Sequence, residues 1–134
     1  MKHKHKLAYL KTAEVFAECS AGTRLKVGAV VVKNNNVIAT GYNALPIGLD
    51  GSLEDENGKT RPEVRHAEMN ALFSVMRSTN SSVGSAIFCT HACCRKCAVE
   101  IVDAGITKFF YRNDYRDDSG LHYLRDNNVE VEQI

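Results

Sequence analysis

The chain has 134 residues, 44% hydrophobic and 25% charged, and its 17 basic and 16 acidic residues leave a net charge of +1. This length and composition are typical of one globular domain over residues 1–134, and the charge balance argues against a broad electrostatic grip on long nucleic acid. No apolar run approaches the ~18 residues that a membrane helix needs, and no signal-peptide core follows the basic start, so we expect a cytoplasmic protein.

The cysteines indicate metal or catalytic chemistry rather than disulfides. Their number is odd, and three of them fall within positions 93–97; the five are Cys19, Cys89, Cys93, Cys94 and Cys97. Without a secretory signal we expect a reducing compartment, where clustered cysteines bind metals or react.

The first half of the chain is predicted to form a helix and a hairpin. The helix covers residues 7–19, where apolar side chains recur at mostly helical spacing, namely Leu7, Leu10, Val15 and Phe16. The basic residues 1–6 before it are expected to form a solvated tail. Residues 27–32 are an almost continuous apolar run, which indicates a central strand covered on both faces. Asparagines 34–36 tolerate a tight turn, and residues 37–40 form the second strand.

Residues 44–65 are predicted to form an ordered rim or lid rather than a floppy insertion. The segment contains both prolines, several glycines and the acidic cluster 54–56. A long connection in a compact domain is usually functional or disordered. This one leads directly into the most informative motif of the chain, which favours order.

The second half alternates helices with strands. The predicted helices begin near His66, about Cys94 and at Leu121, and the predicted strands are residues 86–89, 108–111 and 129–131. The first of these helices runs through Met76, and the second stops at Gly105, a residue suited to a left-handed cap. The order predicts an α/β fold of three layers, α-β-α. Its mixed five-stranded sheet begins with an antiparallel hairpin, continues with parallel strands and carries helices on both faces.

Two short motifs carry the ligands of a predicted metal site. His66-Ala67-Glu68 lies at one helix start and Cys94-Arg95-Lys96-Cys97 at another. Two cysteines separated by two residues turn both sulfurs towards one ion, and the histidine supplies a third ligand. Three protein ligands leave a tetrahedral zinc ion one open position, which marks a catalytic site. The helix N-termini also favour the thiolates that zinc requires.

Glu68 is the predicted proton carrier. It lies two residues after His66, so it does not share the metal but leans over the open position, where it takes a proton from the zinc-bound water. Each motif alone has other interpretations, because Cys-x-x-Cys also occurs as a redox pair or as half of a structural zinc knuckle. The two motifs together, each at a helix start, favour the catalytic zinc site.

With these motifs the chain resembles the cytidine and deoxycytidylate deaminase superfamily, and within it the short, single-domain deoxycytidylate (dCMP) deaminases of bacterial or phage type. The matching stretches are residues 27–32, 40–43, 66–71, 90–97 and 111–116. His-x-Glu followed by Pro-Cys-x-x-Cys is the signature of zinc nucleobase deaminases. The resemblance implies the cytidine-deaminase-like fold and hydrolytic deamination of dCMP to dUMP and ammonia. Zn²⁺ on His66, Cys94 and Cys97 would carry a hydroxide that attacks cytosine C4, with Glu68 as proton shuttle.

The resemblance also implies four substrate contacts. Asn43 is expected to reach the sugar or base from the end of the second strand. Arg24, Tyr115 and Arg116 are expected to help hold the 5′-phosphate, which a guanidinium can bind through two hydrogen bonds. The alternatives are that Asn43 only closes the strand, that the arginines are solvated surface residues and that Tyr115 is a core or rim aromatic.

One departure from the family pattern is clear, because Cys93 stands where the family usually has proline. Cys93 gives up the rigidity of proline and offers a thiol that could form an alternative chelate with Cys97, but we expect Cys94 and Cys97 to be the ligand pair. Some relatives carry a second, structural zinc. Cys19 and His91 could contribute to one here, but residues 44–65 contain no cysteine, which disfavours it.

Two other functions stay open. The first is another deaminase activity of the same superfamily, on a tRNA adenosine, guanine or cytidine; the near-neutral charge disfavours tRNA. The second is a zinc-stabilised interaction module without catalysis, which Glu68 disfavours because an acid there does not hold the metal. We expect dCMP as a small-molecule partner, a homo-oligomer, no membrane and no nucleic-acid polymer, and leave regulation by dCTP or dTTP open.

Overall fold

The helices and strands follow the predicted order. A computed structural model describes residues 1–134. In chain order its elements are α1 (His3–Ala17), β1 (Gly28–Lys33), β2 (Asn36–Tyr42), α2 (Ala67–Met76), β3 (Ala86–His91), α3 (Arg95–Asp103), β4 (Lys108–Asn113), α4 (Ser119–Asp126) and β5 (Glu130–Gln133). The longest helix, α1, has 15 residues, and none of the helices could span a membrane.

The sheet has the strand order β2-β1-β3-β4-β5. β1 pairs antiparallel with both β2 and β3, whereas β3, β4 and β5 run parallel to one another. β1 is therefore an inner strand, and all but its last residue are buried. The predicted mixed sheet, its initial hairpin and the central position of the first strand are confirmed. Asn34 and Asn35 form the hairpin turn with φ values of 50° and 61°, which asparagine tolerates better than most residues.

The two faces of the sheet bury two separate apolar clusters, as a three-layer fold requires. Alternate strand residues point to opposite faces. One face packs on α1 and contains Leu10, Ala13, Val30, Val32, Ala86, Phe88 and Phe110. The larger cluster lies on the other face, where α2, α3 and α4 cover Val31, Ile87 and Phe109. The rings of Phe88 and Phe110 stack with centroids 4.6 Å apart and fill the space under α1.

The N-terminal end differs from the prediction in two respects. Residues 3–6 are the first turn of α1 and not a tail, and Lys6 at the end of this turn contacts distant parts of the chain. Its Nζ lies 2.8 Å from Glu132 and 5.1 Å from the centroid of the Phe110 ring. The buried stripe of α1 is Leu10, Ala13 and Ala17. Val15, one of the apolar residues at helical spacing, lies outside this stripe and is 61% exposed.

Hydrogen bonds and one buried side chain tie residues 44–65 to the rest of the domain, which is the arrangement expected of a rim. Ala44 and Arg65 exchange two backbone hydrogen bonds of 3.1 and 2.9 Å, which close the loop at its base. Leu53 anchors the middle of the loop and is only 3% exposed. The guanidinium of Arg61 donates to two backbone carbonyl groups of the same loop. The segment therefore stands as a fixed rim beside the start of α2.

Gly41 allows α2 to pack directly on β2. A Cβ at this position would overlap the backbone of Ala67 and Ala71 in the first turns of α2. We expect Gly41→Ala to lower the free energy of unfolding by about 1–3 kcal/mol, as overpacking does, when measured by chemical denaturation. Gly58→Ala is the control, because open space surrounds Gly58 and only its φ of +76° opposes a side chain. A Gly41→Ala loss no larger than that of the control would contradict this packing.

Candidate active site

The predicted metal ligands lie where two helices begin. His66 is the N-cap residue of α2, and Cys94 is the N-cap residue of α3; both have extended backbone conformations. Cys97 lies in the first turn of α3, and its backbone N–H donates to the sulfur of Cys94 at 3.4 Å. A sulfur thus takes the capping role that Ser or Asp oxygens usually fill. The positive end of the α3 dipole favours negative charge on this sulfur.

The three side chains present a donor set that fits zinc. Nδ1 of His66 lies 3.5 Å from Sγ of Cys94 and 3.3 Å from Sγ of Cys97. All three ligand atoms lie within 4.8 Å of one another. Zinc–sulfur bonds of about 2.3 Å and zinc–nitrogen bonds of about 2.0–2.1 Å place nitrogen and sulfur roughly 3.5 Å apart in a tetrahedral site. The spacing of the donors therefore matches the spacing that a shared zinc ion requires.

Hydrogen bonds among the three donors divide their ionisation unequally. A hydrogen bond from Cys97 lowers the pKa of Cys94 to about 4, and His66 and the backbone N–H of Cys97 act in the same direction. The same bond raises the pKa of Cys97, which is its donor. The hydrogen bond to Cys94 raises the pKa of His66. Of the two cysteines, Cys94 is therefore the one that more readily takes the thiolate form, the form that binds zinc.

Cys93 lies outside the donor set. Its side chain is completely buried, and burial raises the pKa of its thiol. The segment that lacks the family's proline is held by packing, because Gly120 in α4 contacts the carbonyl oxygens of Cys93 and Cys94 so closely that a Cβ would overlap them. The structure thus groups Cys94, not Cys93, with Cys97 and His66.

Glu68 is a buried carboxyl group beside the donors. It lies in the first turn of α2 but is only 3% exposed. Desolvation by burial raises the pKa of Glu68 to about 6, and the nearby His66 opposes that rise. Glu68 is not one of the clustered donors. A carboxyl group buried next to a metal site without ligating it costs folding energy, which is the mark of a functional group.

One cavity of about 960 Å³ joins these groups to the predicted substrate residues. Its volume lies at the upper end of the range that small-molecule sites occupy. The predicted site residues that line it are Arg24, Asn43, His66, Glu68, Cys94, Tyr115 and Arg116. Cys97 lies behind this wall and is buried.

Asn43 has a structural role at the cavity wall. Its Oδ1 accepts a hydrogen bond from the backbone N–H of Val27 at 2.9 Å, and its Nδ2 donates to the carbonyl of Leu25 at 2.8 Å. These bonds fix the segment that leads into β1. One N–H and one lone pair of the amide remain for a ligand, so the predicted substrate contact of Asn43 stays a prediction.

The cavity also contains polar residues to which the sequence reasoning gave no substrate role. They are Glu54, Lys59, Thr60, His91, Asn113 and Asp114. The first three belong to the rim segment, whose sequence has no periodicity to read. The last three lie at or just after the ends of β3 and β4, and ligands of α/β sheets bind outside the carboxyl ends of parallel strands. This rule, applied to the ends of the third and fourth strands, would have identified these three residues from the sequence.

None of the cations of the cavity forms a salt bridge, although Arg24 lies near enough to Glu54, and Arg116 near enough to Asp117, to help lower the pKa of those carboxyl groups. Arg24, Lys59 and Arg116 line it, and the ion pairs of the chain all involve other residues. The guanidinium of Arg116 lies 5.5 Å from the centroid of the Tyr115 ring, which orients it without neutralising it. Cations without salt bridges around a concave wall favour an anionic ligand.

The carboxylates of the cavity rim, in contrast, already accept hydrogen bonds from other groups of the protein. Glu54 accepts hydrogen bonds of 2.7 and 2.6 Å from the backbone N–H and the hydroxyl of Thr23. These bonds lower the pKa of Glu54. Asp114 accepts a hydrogen bond of 3.2 Å from Gln133. The acids thus hold neighbouring segments in place.

Comparisons with known proteins give the same assignment. Residues 2–113 match the family model of the cytidine and deoxycytidylate deaminase zinc-binding region. The chain is 33% identical over 117 residues to a deoxycytidylate deaminase of Mycobacterium phage D29, covering 77% of this chain and 90% of the relative. It is 31% identical over 132 residues to ComE operon protein 2 of Bacillus subtilis, covering 94% of this chain and 69% of the relative.

A solved structure matches over the whole chain. It is a dCMP deaminase from the cyanophage S-TIM5 in complex with dCMP and dUMP, with a TM-score of 0.97 and 46% identity, and the match covers 100% of this chain and 99% of that one. The fold, the donor set and the family model agree. The chain belongs to the cytidine and deoxycytidylate deaminase family.

Proposed function

We propose that this chain catalyses the hydrolytic deamination of dCMP to dUMP and ammonia. The observation that carries the proposal is a single cavity in which a zinc-type donor set and a buried carboxyl group share the wall with three cations that form no salt bridge. The 46% identity to a protein whose crystal structure contains dCMP and dUMP supports the same substrate.

The metal would be held by His66, Cys94 and Cys97. A zinc ion with three protein ligands supplies a Lewis acid that makes water nucleophilic near neutral pH. The contribution of the chain is to fix the donors. The N-cap positions of His66 and Cys94 set their directions, and the N–H of Cys97 and the α3 dipole stabilise the Cys94 thiolate.

Glu68 would move the protons. In the balanced reaction a water oxygen bonds to C4 of cytosine, the bond from C4 to the amino nitrogen breaks, and the two water protons end on N3 of the product and on ammonia. Glu68 would accept each proton and pass it first to N3 and then to the departing amine. Its burial beside the donors places the carboxyl group away from bulk water, so that protons pass to the substrate.

These three cations would hold the 5′-phosphate. Arg24 precedes β1, Arg116 follows β4 and Lys59 lies on the rim, so three separate segments place positive charge around the same cavity. Asn43 and Tyr115 would contact the nucleoside between the phosphate and the metal. Separate contacts for the phosphate and for the nucleoside favour a phosphorylated pyrimidine nucleoside as the substrate over a free base or nucleoside.

Removal of either arginine should discriminate between nucleotide and nucleoside. We expect Arg24→Ala and Arg116→Ala each to lower kcat/KM for dCMP by about 10- to 100-fold, the value of a charge-assisted hydrogen bond, and to change kcat/KM for deoxycytidine by less than about threefold. Steady-state assays on both substrates measure this. Arg77→Ala is the matched control, because Arg77 lies at the C-terminal end of α2, outside the cavity. Equal losses on the two substrates would rule out the phosphate role.

The choice of substrate is tested by competition. The zinc-loaded protein is incubated with equal concentrations of dCMP, cytidine, guanine and a tRNA substrate, and each deaminated product is quantified by mass spectrometry. The proposal predicts that dUMP dominates. A dominant uridine, xanthine or inosine-containing product would replace dCMP by another substrate of the family.

A non-catalytic zinc module is the weaker alternative. The buried Glu68 disfavours it, because a module that only needed the metal would gain stability from an apolar residue at that position. Assembly as a homo-oligomer, a cytoplasmic location and a response to dCTP or dTTP remain predictions of the family resemblance. Size-exclusion chromatography with light scattering, with and without dCTP, tests the first and the last of these.

A further inference from the structure

His91 lines the cavity, and only one nitrogen of its imidazole ring has a hydrogen-bond partner in the protein. It is the last residue of β3 and lines the cavity together with the metal donors. Its Nδ1 lies 2.8 Å from Oγ1 of Thr90. The other ring nitrogen, Nε2, has no hydrogen-bond partner in the protein and is not among the buried unpaired atoms, so it is accessible to a ligand.

The hydrogen bonds around Thr90 determine which ring nitrogen carries the proton. The hydroxyl of Thr90 is buried and accepts a hydrogen bond of 3.1 Å from the backbone N–H of Gly28. Its hydrogen has one acceptor within reach, Nδ1 of His91. A buried hydroxyl that does not donate is costly. Nδ1 of His91 is therefore the acceptor, and the neutral ring carries its proton on Nε2.

The ionisation of the ring agrees with this arrangement. Burial lowers the pKa of His91. A protonated ring would also carry a hydrogen on Nδ1, which would leave the hydroxyl hydrogen of Thr90 without an acceptor. His91 thus presents a neutral, fixed N–H donor to the cavity.

The position of His91 points to the acceptor that this donor would meet. On one side, the bond from Gly28 to Thr90 joins the end of β3 to the start of β1, and Arg24 lies just before that start. On the other side, His91 is the register partner of Asn113, the last residue of β4, and Arg116 follows three residues later. His91 therefore lies between the two segments that carry the cavity's guanidinium groups.

We infer that Nε2 of His91 donates a hydrogen bond to an oxygen of the substrate's 5′-phosphate, between Arg24 and Arg116. The inference rests on the proposed function, because it names a contact of the same substrate. It adds a neutral donor with a fixed direction to two flexible cations. Such a donor selects the position of the phosphate, whereas the guanidinium groups supply most of the attraction.

The test compares a nucleotide with its nucleoside in two variants. His91→Leu keeps a similar volume without a donor, and His91→Gln restores an N–H donor close to the position of Nε2. We expect His91→Leu to lower kcat/KM for dCMP by about 10- to 100-fold and to change kcat/KM for deoxycytidine by less than about threefold. His91→Gln should recover most of the loss. Thermal unfolding confirms that both variants are folded.

Binding of products separates this inference from the proposed function. Titration calorimetry on the zinc-loaded protein measures Kd for dUMP and for deoxyuridine, which needs no turnover. We expect His91→Leu to weaken dUMP by the same factor as above and to leave deoxyuridine unchanged. Equal weakening of both ligands, or no weakening of dUMP, would overturn the inference. Absence of dCMP turnover by the wild-type protein, with selective weakening of dUMP intact, would defeat the proposed function alone.

Discussion

Replacement of Glu68 by glutamine should reduce kcat for dCMP by about 10²–10⁴-fold, the contribution of a general acid–base group, while one zinc ion per chain remains bound. The amide has nearly the same shape as the carboxyl group but cannot take up and release the two protons of the reaction. Zinc should stay because Glu68 is not among the clustered donors. Steady-state kinetics and metal analysis of the same preparation measure both effects.

The folded state should tolerate the change. Glu68 is 3% exposed and burial raises its pKa to about 6, so a neutral amide of nearly the same shape suits this position. Glu63→Gln is the matched control, because Glu63 is an exposed glutamate of the neighbouring rim, and it should leave kcat unchanged. Full activity of Glu68→Gln would exclude the proposed proton route. Loss of zinc together with activity would instead make Glu68 a metal ligand.

Replacement of Cys97 by alanine should lower zinc affinity by more than about 100-fold, since loss of even an outer contact to a metal ligand costs 10- to 100-fold. Cys97 contributes a donor sulfur 3.3 Å from Nδ1 of His66, whereas its backbone N–H, which donates to Sγ of Cys94, is kept in the alanine variant. Turnover of dCMP should fall with zinc occupancy. Competition with a chromophoric chelator gives the affinity.

Cys93→Ala is the matched control for this experiment. Cys93 is a buried cysteine of the same segment, and its removal opens a small cavity without touching the donor set. It should cost about 1–2 kcal/mol of stability and leave zinc affinity within a few-fold of the wild type. If Cys93→Ala lost zinc to the same degree as Cys97→Ala, Cys93 would be a ligand together with Cys97 and the proposed donor set would be wrong.

The fold was predictable where local patterns decide it. The apolar run at 27–32 led to the inner strand, and the paired asparagines led to the hairpin turn, because both signals are strong without tertiary contacts. The start of α1 was not predictable. Lys6 in its first turn contacts Glu132 and Phe110, which both come from distant parts of the chain. Val15 has helical spacing but faces solvent, since small alanines form the stripe that approaches the sheet.

The sequence predicts the metal donors and the proton carrier, but not several of the other residues that line the cavity. The motifs at residues 66–68 and 94–97 give the identity and the spacing of the donors. The fold then brings the starts of α2 and α3 together, so that the three donor atoms lie within 4.8 Å of one another. Lys59 lies in an aperiodic loop, so only the folded rim shows that it lines the cavity. The fixed ring of His91 depends on Gly28, 63 residues earlier, through the hydroxyl of Thr90. No local pattern reports such a contact.

The most direct test of the account is turnover of dCMP by protein that carries one equivalent of zinc. The starts of α2 and α3 bring three zinc donors together with a buried acid beside them. The account predicts one dUMP and one ammonia per dCMP consumed, over many cycles, with activity lost on chelation and restored by zinc. A folded, zinc-loaded chain that forms no dUMP from dCMP would contradict it.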